Sequence, residues 1–441
     1  MMKKIICIFA TLLILYTAFF CIAPSAISFD CDVETFSESM LMVNLDSDMV
    51  VFEKDADSKR YPASLTKIMT YIIACEYFDD YDNTRIEIKE SLLENLETNG
   101  IALSGLEWHK GESLTVTDLL YALMVPVGHD SATLLADYIT TQSGKNFVDM
   151  MNDKAKELGC KNTHFENPTG VHHADHYTTA RDMYIITKYA LGLPMFSKIC
   201  STTTYYLEGD EYPIITTNYM IDSARGGDYF YTYATGVKNG TTDQGGRCLV
   251  STAMYNGYAY MVVCMQAPYN YEKEVTDQYC MIESANMYRW AFLNLEFVTQ
   301  VKKDTPICEQ KVVNAWDTDS ILLVPETDLN IILPYDYKES DVVITPDSSD
   351  PVSAPIKKGD IITPATVYYK GEAFTKINLV SQEDVRVSFI LYVSELVKSV
   401  LTSVWFLIAV LIVVVLFVVY VGVSSSYNKK KKAKKSNRNY R

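Results

Sequence analysis

Basic residues are scarce over most of this chain. The 441 residues include 39 Lys and Arg against 55 Asp and Glu, which gives a net charge of −16. Two of the basic residues lie before residue 5 and eight lie after residue 428, so the part between them has 29 basic and all 55 acidic residues, a net charge of −26. Such a surface would repel polyanions. The composition therefore argues against a nucleic-acid partner.

Charge is also missing from two long apolar runs, and each predicts a different relation to the membrane. The first, residues 5–22, follows two lysines and precedes a stretch rich in small residues at 23–28. This order is typical of a secretory signal peptide over residues 1–28, after which the mature protein would begin near Phe29. The alternative is an uncleaved anchor, which the small residues suited to cleavage disfavour.

The second run, residues 403–423, has 21 residues without a charge. At about 1.5 Å per helical residue, it is long enough to cross a hydrocarbon core of about 30 Å. The basic residues that follow predict a cytoplasmic tail, residues 424–441, and place the bulk of the protein outside the membrane. Residues 386–402 mix apolar and charged side chains and are expected to lie against the membrane before the span.

The cysteines have no spacing that identifies a disulfide framework. Eight of the ten lie outside the predicted signal peptide, and an even number in an exported chain permits disulfides without specifying their pairing. Cys75, Cys248 and Cys264 stand in apolar runs, where a cysteine serves equally well as a small core residue. We therefore predict no particular disulfide.

The pattern of apolar residues predicts an α/β domain over residues 33–296. Near its two ends, residues 39–53 and 247–267 each read as two strands joined by a turn. Between them, apolar residues recur at helical spacing from Pro62 onward, and a further helix is expected from about residue 272 to 293. Strands at both ends of a helical middle indicate one antiparallel sheet covered by helices.

From residue 297 to 385 the pattern changes. Short runs of β-forming residues, such as SILLVP and NIILP, are broken by Pro, Gly and Asp. This texture is typical of a small all-β domain. The predicted order is thus a signal peptide, a sheet-and-helix domain, a small β domain, a juxtamembrane segment and one transmembrane helix with a basic tail.

Ser64 and Lys67, in the stretch KRYPASLTKIMT, are the first candidates for chemistry. Two residues three apart on a helix share a face, and a serine hydroxyl needs a base within hydrogen-bond reach to act as a nucleophile. Lysine can be that base if burial or a second cation lowers its pKa, and Lys238 could be that cation. The spacing by itself is weak evidence, because it recurs at Ser426 and Lys429 in the tail.

The stretch YPASLTKIMT resembles the first motif of the penicillin-binding D-alanyl-D-alanine carboxypeptidases, low-molecular-weight serine peptidases with Ser-x-x-Lys, Ser-x-Asn and Lys-Thr-Gly motifs. Further stretches resemble that family in the same order, namely LTVTDLLYALMVPVGHDSATLLA, MNDKAKELGCKNTHFENPTGVH, HYTTARDM and TGVKNGTTDQGGRCLVSTA. The resemblance covers about residues 40–295, and APIKKGD at 354–360 is similar to the family's small β domain. It implies a β-lactamase/DD-peptidase-like fold.

By this resemblance, Ser64 would attack the penultimate D-alanine of a peptidoglycan stem peptide and form an acyl-enzyme, with Lys67 as its base. Lys238 and Asn239 would hold the terminal carboxylate, and the backbone N–H groups of Ser64 and Thr241 would stabilise the oxyanion. The implied activity is that of a serine-type D-Ala-D-Ala carboxypeptidase, which removes the terminal D-alanine. It needs no cofactor and is inhibited covalently by β-lactams.

The second motif departs from the family pattern. Where the family would read Pro-Ser-Gly-Asn-Asp, residues 126–130 are Pro-Val-Gly-His-Asp. Val127 replaces a serine that helps to move a proton to the leaving amine, and a positioned proton-transfer group is worth about 10²- to 10⁴-fold in rate. His129 replaces the asparagine that orients the substrate amide. A neutral histidine can donate one hydrogen bond, and the alternative is that it merely fills the site.

The third motif departs as well. Asn239 stands in place of the threonine, and its amide could donate a hydrogen bond where the hydroxyl did. Lys238 still offers a cation to a carboxylate, and Gly240 leaves room for a substrate backbone close to the strand. The family commonly has an arginine at the end of the next strand, and the stretch MQAPYN has none. Two interpretations stay open: a working carboxypeptidase, and a catalytically impaired cell-wall-binding protein of the same fold.

Two other functions are disfavoured. A class A β-lactamase needs a glutamate with an asparagine four positions on, but the residue four positions after Glu166 is Gly170. The histidines at 164, 172, 173 and 176, with Asp175, suggest a metal site, yet no pair has a helical ligand spacing with a partner motif. We therefore expect no metal.

Overall fold

The computed structural model describes residue 29 and residues 31–436. The predicted signal peptide, residues 1–28, lies outside the described residues. By its internal contacts the chain divides into two compact units. These units are not a test of the domain boundaries suggested by the sequence, which stay predictions. The first unit comprises Met1–Gln300, Asn330–Val342 and Tyr368–Thr375, and the second comprises Val301–Leu329, Val343–Val367 and Lys376–Arg441.

The α-helices of the described residues are labelled in chain order. They are α1 (Thr66–Tyr77), α2 (Glu90–Thr98), α3 (Val116–Met124), α4 (His129–Ser143), α5 (Phe147–Glu157), α6 (Ala180–Leu191), α7 (Phe196–Cys200), α8 (Tyr279–Asn294), α9 (Phe389–Thr402) and α10 (Val404–Ser436).

The strands are labelled in the same way. They are β1 (Ser39–Asn44), β2 (Val50–Lys54), β3 (Arg85–Glu87), β4 (Ser113–Thr115), β5 (Thr204–Tyr205), β6 (Ile214–Ile215), β7 (Ala234–Thr242), β8 (Gly246–Tyr255), β9 (Tyr258–Ala267), β10 (Leu295–Val301), β11 (Cys308–Val313), β12 (Ser320–Pro325), β13 (Leu329–Pro334), β14 (Val342–Pro346), β15 (Val352–Ser353), β16 (Ile361–Tyr369) and β17 (Glu372–Ser381).

The first unit is built on a five-stranded sheet in the order β2-β1-β9-β8-β7. All its pairings are antiparallel, with Met42 of β1 and Ser251 of β8 both opposite Val262 of β9. Asn256 and Gly257 join β8 to β9 with φ angles of 50° and 85°, the left-handed values that a two-residue hairpin turn requires. The predicted antiparallel sheet is confirmed, and β7 is one of its edge strands.

Helix α1 lies inside this unit and carries Lys67 in its first turn. Ten of its 12 residues are buried, including Ile68 and Tyr71, as expected of a helix that is enclosed by other elements. Helices α3 and α4 add buried leucines to the same core, such as Leu119 and Leu135. Packing therefore fixes α1 and, with it, the residues at its start.

The predicted start of the last helix of this unit was wrong. The sequence pattern suggested a helix from about residue 272, but α8 begins at Tyr279. The backbone groups of Asn270 and Val275 bond to each other at 3.0 and 2.9 Å. This closed turn takes the intervening residues out of helical geometry.

The second unit contains most of a six-stranded sheet in the order β14-β16-β17-β12-β11-β15. Strand β11 pairs in antiparallel fashion with β12 and in parallel with β15. The core of this unit includes Leu323, Ala365 and Leu379. The small all-β domain predicted after residue 297 is confirmed.

Within the described residues, one helical segment is long and apolar enough to cross a membrane. This segment, Val404–Ser425, belongs to α10 and coincides with the run predicted at residues 403–423. The length and the apolar composition of this segment are the basis for this assignment. All eight cysteines outside the predicted signal peptide are free thiols, and Cys75, Cys248 and Cys264 are buried as expected.

Candidate active site

Ser64 and Lys67 lie at the start of α1. Pro62 leads into a short 3₁₀ turn, Ala63–Leu65, and α1 follows without a break. This geometry puts the two side chains on one face, where Lys67 Nζ donates a hydrogen bond to Ser64 Oγ at 3.0 Å. Lys67 also donates to the carbonyl oxygen of Thr169. The structure thus brings together the pair that the spacing suggested.

Lys67 is fully buried, and its burial favours the neutral form of the amine, which is the form that can accept a proton. Removal from water disfavours a cation, so burial lowers the pKa of Lys67 well below its usual value. The nearby cation of Lys238 lowers this pKa further, whereas Asp130 acts in the opposite direction. A neutral amine can accept a proton from Ser64. The pair therefore has the geometry and the electrostatics of a nucleophile with its general base.

Lys238 approaches the same cleft from β7. Its side chain is buried, and its Nζ donates to the carbonyl oxygen of Met124 at 3.0 Å and to that of Pro126. Burial lowers the pKa of Lys238 to about 8, so most of the amine is still protonated at neutral pH. These hydrogen bonds tie the edge strand of the sheet to the end of α3.

Gly240 has a structural reason to be glycine. A Cβ at this position would lie 2.5 Å from the backbone nitrogen of Ser64 and 3.1 Å from the Cβ of Ala63. Strand β7 can run against the Ser64 turn because this residue has no side chain. The sequence suggested that Gly240 leaves room for a substrate, and the structure shows that it leaves room for the backbone of Ser64 itself.

The second-motif turn, residues 126–129, joins α3 to α4. Gly128 has a φ of 68°, and a Cβ there would lie 2.3 Å from the carbonyl oxygen of Leu123. The N–H of Gly128 donates to Ser104 Oγ at 2.7 Å, and the N–H of Ser104 donates to the buried carboxylate of Asp130 at 2.6 Å. The turn therefore requires a glycine. Ser104 holds it in place by bonding to Gly128 within the turn and to Asp130 just after it.

His129 is the first residue of α4, and its Nδ1 lies 3.5 Å from Lys67 Nζ. Burial first, and then the cations of Lys67 and Lys238, lower the pKa of His129 to about 3. The ring is therefore neutral near pH 7, and a neutral ring that accepts at Nδ1 carries its proton on Nε2. His129 can therefore accept from Lys67 at one nitrogen and donate from the other.

Val127 puts an apolar side chain where the family pattern has a hydroxyl. With Ser104 and Thr217, it lines a cavity of about 620 Å³ beside the second motif. The largely exposed rings of Trp108 and Tyr212 form another part of the wall. Valine can pack against a ligand in this cavity, but it can neither donate nor accept a proton.

Asn239 and Thr241 follow Lys238 along β7. The side-chain oxygen of Asn239 accepts a hydrogen bond from Thr217 Oγ1 at 2.8 Å. This contact uses the acceptor of the amide, so the amide nitrogen is the group that can donate to a ligand. Thr241 is exposed and can offer its hydroxyl and its N–H.

Arg247 is a cation that the sequence reasoning missed. It lies on β8, directly across from Thr241 on β7 and from Ala267 on β9. Its guanidinium donates to Gln278 Oε1 at 2.9 Å and to the carbonyl oxygen of Thr276 at 2.7 Å. The family's arginine was expected at the end of β9, in the stretch MQAPYN. Arg247 instead lies near the start of β8, the strand before β9. The register of the β7–β8 hairpin is the signal that could have found it.

The loop of residues 164–176 packs on the turn that carries the serine. His176 Nε2 lies 2.8 Å from Thr66 Oγ1, which in turn donates to the carbonyl oxygen of Ala63. A Cβ on Gly170 would lie 1.9 Å from the same carbonyl oxygen. His176 therefore has a structural partner in the core of the site, and the loop contacts the nucleophile's turn directly.

Comparison with known families agrees with this geometry. A family profile described as D-alanyl-D-alanine carboxypeptidase matches residues 26–269, and a profile described as penicillin-binding protein 5, C-terminal domain, matches residues 296–387. The chain belongs to the D-alanyl-D-alanine carboxypeptidase family. This membership confirms the resemblance on which the expected fold and reaction class rested.

Individual relatives cover most of the chain. It is 27% identical over 353 residues to the D-alanyl-D-alanine carboxypeptidase DacF of Bacillus subtilis, and the match covers 79% of this chain and 86% of the relative. It is 30% identical over 220 residues to the D-alanyl-D-alanine carboxypeptidase of Streptomyces sp. strain K15, with 47% of this chain and 72% of the relative covered. The solved penicillin binding protein 5 of Haemophilus influenzae superposes with a TM-score of 0.65 at 26% identity and covers 81% of this chain and 100% of its own.

Gly240→Ala should destabilise the first unit, because the added methyl group meets backbone atoms that cannot move aside. Overpacking of this kind costs about 1–3 kcal/mol, which thermal denaturation of the full chain in detergent would detect as a lower Tm. Gly192→Ala is the matched control, since a Cβ there would lie 3.4 Å from the carbonyl oxygen of Tyr189, an ordinary contact. Equal Tm values for the two variants would contradict the close approach of β7 to Ser64.

Proposed function

We propose that this protein is a serine-type D-Ala-D-Ala carboxypeptidase that removes the terminal D-alanine from peptidoglycan stem peptides. The observation that carries the proposal is the 3.0 Å hydrogen bond between Ser64 Oγ and the fully buried amine of Lys67. Family membership supports the reaction class. The names of the relatives from Bacillus subtilis and Streptomyces state the same activity for those proteins.

In the proposed first step, Ser64 Oγ attacks the carbonyl carbon of the penultimate D-alanine and its proton passes to Lys67 Nζ. A C–O bond forms, and the carbonyl oxygen becomes an oxyanion for which the backbone N–H groups of Ser64 and Thr241 would be the donors. The amide C–N bond then breaks. The terminal D-alanine leaves once its nitrogen has received a proton, and Lys67, now an ammonium group, is the source of that proton.

His129 is proposed to carry this proton, because Val127 cannot. Lys67 Nζ lies 3.5 Å from His129 Nδ1, so the ammonium group can give its proton there while Nε2 releases its own proton to the leaving nitrogen. The ring is neutral before and after the transfer and only its tautomer changes; proton exchange with water then restores the form protonated on Nε2 for the next turnover. Water then attacks the acyl-enzyme, gives a proton to Lys67, and Ser64 takes that proton back as the C–O bond breaks.

The terminal carboxylate of the substrate is proposed to bind at the third motif. Lys238 provides a buried cation that is mostly protonated at neutral pH. Asn239 would donate from its amide nitrogen, and Arg247, directly across from Thr241, would add a second cation at the end of the strand. Hydrogen bonds that involve a charge are about twice as strong as neutral ones. This arrangement would select peptides with a free carboxyl terminus.

We further propose that the protein is exported and held in the cell membrane by residues 403–423, with its catalytic domain outside and residues 424–441 in the cytoplasm. The apolar helical segment Val404–Ser425 and the basic residues after it support this orientation. Such an anchor would keep the cleft near the membrane, within reach of peptidoglycan. β-Lactam antibiotics are expected to be covalent inhibitors.

Val127 is the observation that favours a rival function, a catalytically impaired cell-wall-binding protein of the same fold. Such a protein would use Lys238 and the third motif to bind stem peptides without cleaving them. The two functions differ in whether Ser64 becomes acylated. A covalent probe of Ser64 therefore distinguishes them.

A fluorescent penicillin should label the full chain in detergent at Ser64, as seen on a denaturing gel. Ser64→Ala removes the nucleophile and should abolish the label. Lys67→Ala removes the base and should slow acylation at least about 10²-fold, the lower end of what a positioned proton-transfer group contributes. Release of D-alanine from a peptide that ends in D-Ala-D-Ala should fall in parallel.

Ser131→Ala is the matched control for these variants. Ser131 is another serine of the first unit, but it is buried, its hydroxyl donates to the carbonyl oxygen of Leu119, and it takes no part in the proposed steps. Label that persists in Ser64→Ala would refute the role of Ser64. A folded wild-type chain that takes up no label would favour the wall-binding protein.

His129→Ala should slow acylation by the fluorescent penicillin about 10²- to 10³-fold, because it removes the proposed proton carrier. Val127→Ser in the same chain should restore part of the rate, since a serine hydroxyl at this position can carry the proton instead. The second-order acylation rate constant measures both effects. An unchanged rate in His129→Ala, with Ser64 still labelled, would reject the relay and leave the Ser64–Lys67 pair intact.

The fall of kcat/KM at alkaline pH should reflect the deprotonation of Lys238. The carboxylate needs a protonated Lys238, and the pKa of this amine is about 8, so kcat/KM for D-alanine release should fall as the pH rises above about 8. On the acid side kcat/KM should fall again once Lys67 becomes protonated, because only the neutral amine can act as the base and burial lowers the pKa of Lys67 well below its usual value. Lys238→Arg, whose guanidinium stays protonated, should lose the alkaline limb. A wild-type profile that stays flat up to pH 10 would contradict the proposed role of Lys238.

A further inference from the structure

The loop of residues 164–176 carries chemistry that the proposed reaction does not use. Four of the six histidines of the chain lie in this segment, together with Glu166 and Asp175. The sequence predicted no metal here, because no pair of these residues has a convincing helical ligand spacing together with a partner motif. The loop brings three of these side chains together by folding back on itself instead.

The loop is closed at its base and braced inside. The backbone groups of His164 and Tyr177 bond to each other at 2.8 and 3.0 Å. Inside the loop, Asn167 accepts the N–H of Gly170 at 2.7 Å and donates to the carbonyl oxygen of Val171 at 2.9 Å. A ligand that binds to the loop therefore does not have to order it, and less binding energy is lost on ordering.

Glu166, His173 and Asp175 present their donor atoms to one another across this loop. One ligand atom from each lies within 4.8 Å of the other two. His173 Nδ1 is 4.0 Å from Glu166 Oε2 and accepts the N–H of Asp175 at 3.2 Å, so this nitrogen carries a lone pair, and an ion that binds there takes the place of the N–H. Tetrahedral ligands at about 2.0–2.2 Å from zinc lie roughly 3.4 Å apart. To bind zinc, the ligand atoms of these three exposed side chains would have to move closer to one another by roughly an ångström.

We propose that Glu166, His173 and Asp175 form a binding site for Zn²⁺. An imidazole with two carboxylates suits zinc, whereas calcium and magnesium prefer sites made entirely of oxygen ligands. Three protein ligands leave a fourth position for water. His164 Nε2 lies 2.9 Å from Glu166 Oε1, and a hydrogen bond of this kind holds a ligating carboxylate in its orientation.

The site would act on the catalytic cleft through the loop rather than through contact with substrate. Thr169, in the middle of the loop, accepts the hydrogen bond of Lys67, and Gly170 packs on the carbonyl oxygen of Ala63. An ion bound on the outer side of the loop would stabilise the arrangement on its inner side. The proposal itself stands on the loop geometry and does not depend on the proposed function.

Zinc binding to the full chain in detergent, after removal of metal with a chelator, tests the proposal. Isothermal titration with ZnCl₂ should give one ion per chain, and the Tm should rise with zinc concentration, because an ion that binds the folded state stabilises it. Cobalt in place of zinc should give an absorption spectrum without a sulfur-to-metal charge-transfer band. Such a band would assign the ion to cysteines and overturn the proposal.

Glu166→Gln and Asp175→Asn keep the shape of each side chain but remove a charged ligand, and each should weaken zinc binding at least about tenfold. His173→Gln should have an effect of similar size. Glu157→Gln is the matched control, because Glu157 is an exposed carboxylate on α5, outside the loop, and zinc binding should not change. The proposal fails if the folded wild-type chain binds no zinc, or if the three loop variants bind it as tightly as the control.

Discussion

The cleft depends on a lysine amine that is kept out of water beside a serine hydroxyl. Burial of a cation costs several kcal/mol of solvation, so Lys67 needs hydrogen-bond acceptors around it and a lowered pKa. Ser64 Oγ and the carbonyl oxygen of Thr169 are those acceptors. Lys238 is stabilised in the same way by two carbonyl oxygens at the end of α3. Backbone carbonyls solvate each amine without neutralising it as a carboxylate would, so each pKa can suit a different task.

Glycines allow the chain to assemble these groups closely. Gly170 and Gly240 bring a loop and a strand against the turn that carries Ser64, and a Cβ on either would overlap backbone atoms. Gly128 lets the second-motif turn adopt a left-handed conformation. Three separate segments are thus packed on one nucleophile with little freedom to adjust, as a preorganised site requires. The replacement of side chains at Val127 and His129 leaves this backbone frame in place and changes only the groups available for proton transfer.

The loop of residues 164–176 connects the interior of the site to the surface. On its inner side, Thr169 and His176 bond to residues of the α1 start. On its outer side, Glu166 and Asp175 are exposed. A rigid segment with one face on the catalytic lysine and another in solvent is a physical route by which an ion or partner could alter the base without contacting the substrate.

The sequence by itself determined the features that depend on neighbours in the chain: the charge-free run at 403–423, the hairpin turns, and the pairing of Ser64 with Lys67 three residues later on one helix. Tertiary structure alone decided which distant segments meet. The 3.5 Å approach of His129 to Lys67 and the position of Arg247 across from Thr241 follow from packing and strand register. The reason is physical. Helical and hairpin geometry constrains residues a few positions apart, whereas contacts between segments far apart in sequence form only when the whole core packs.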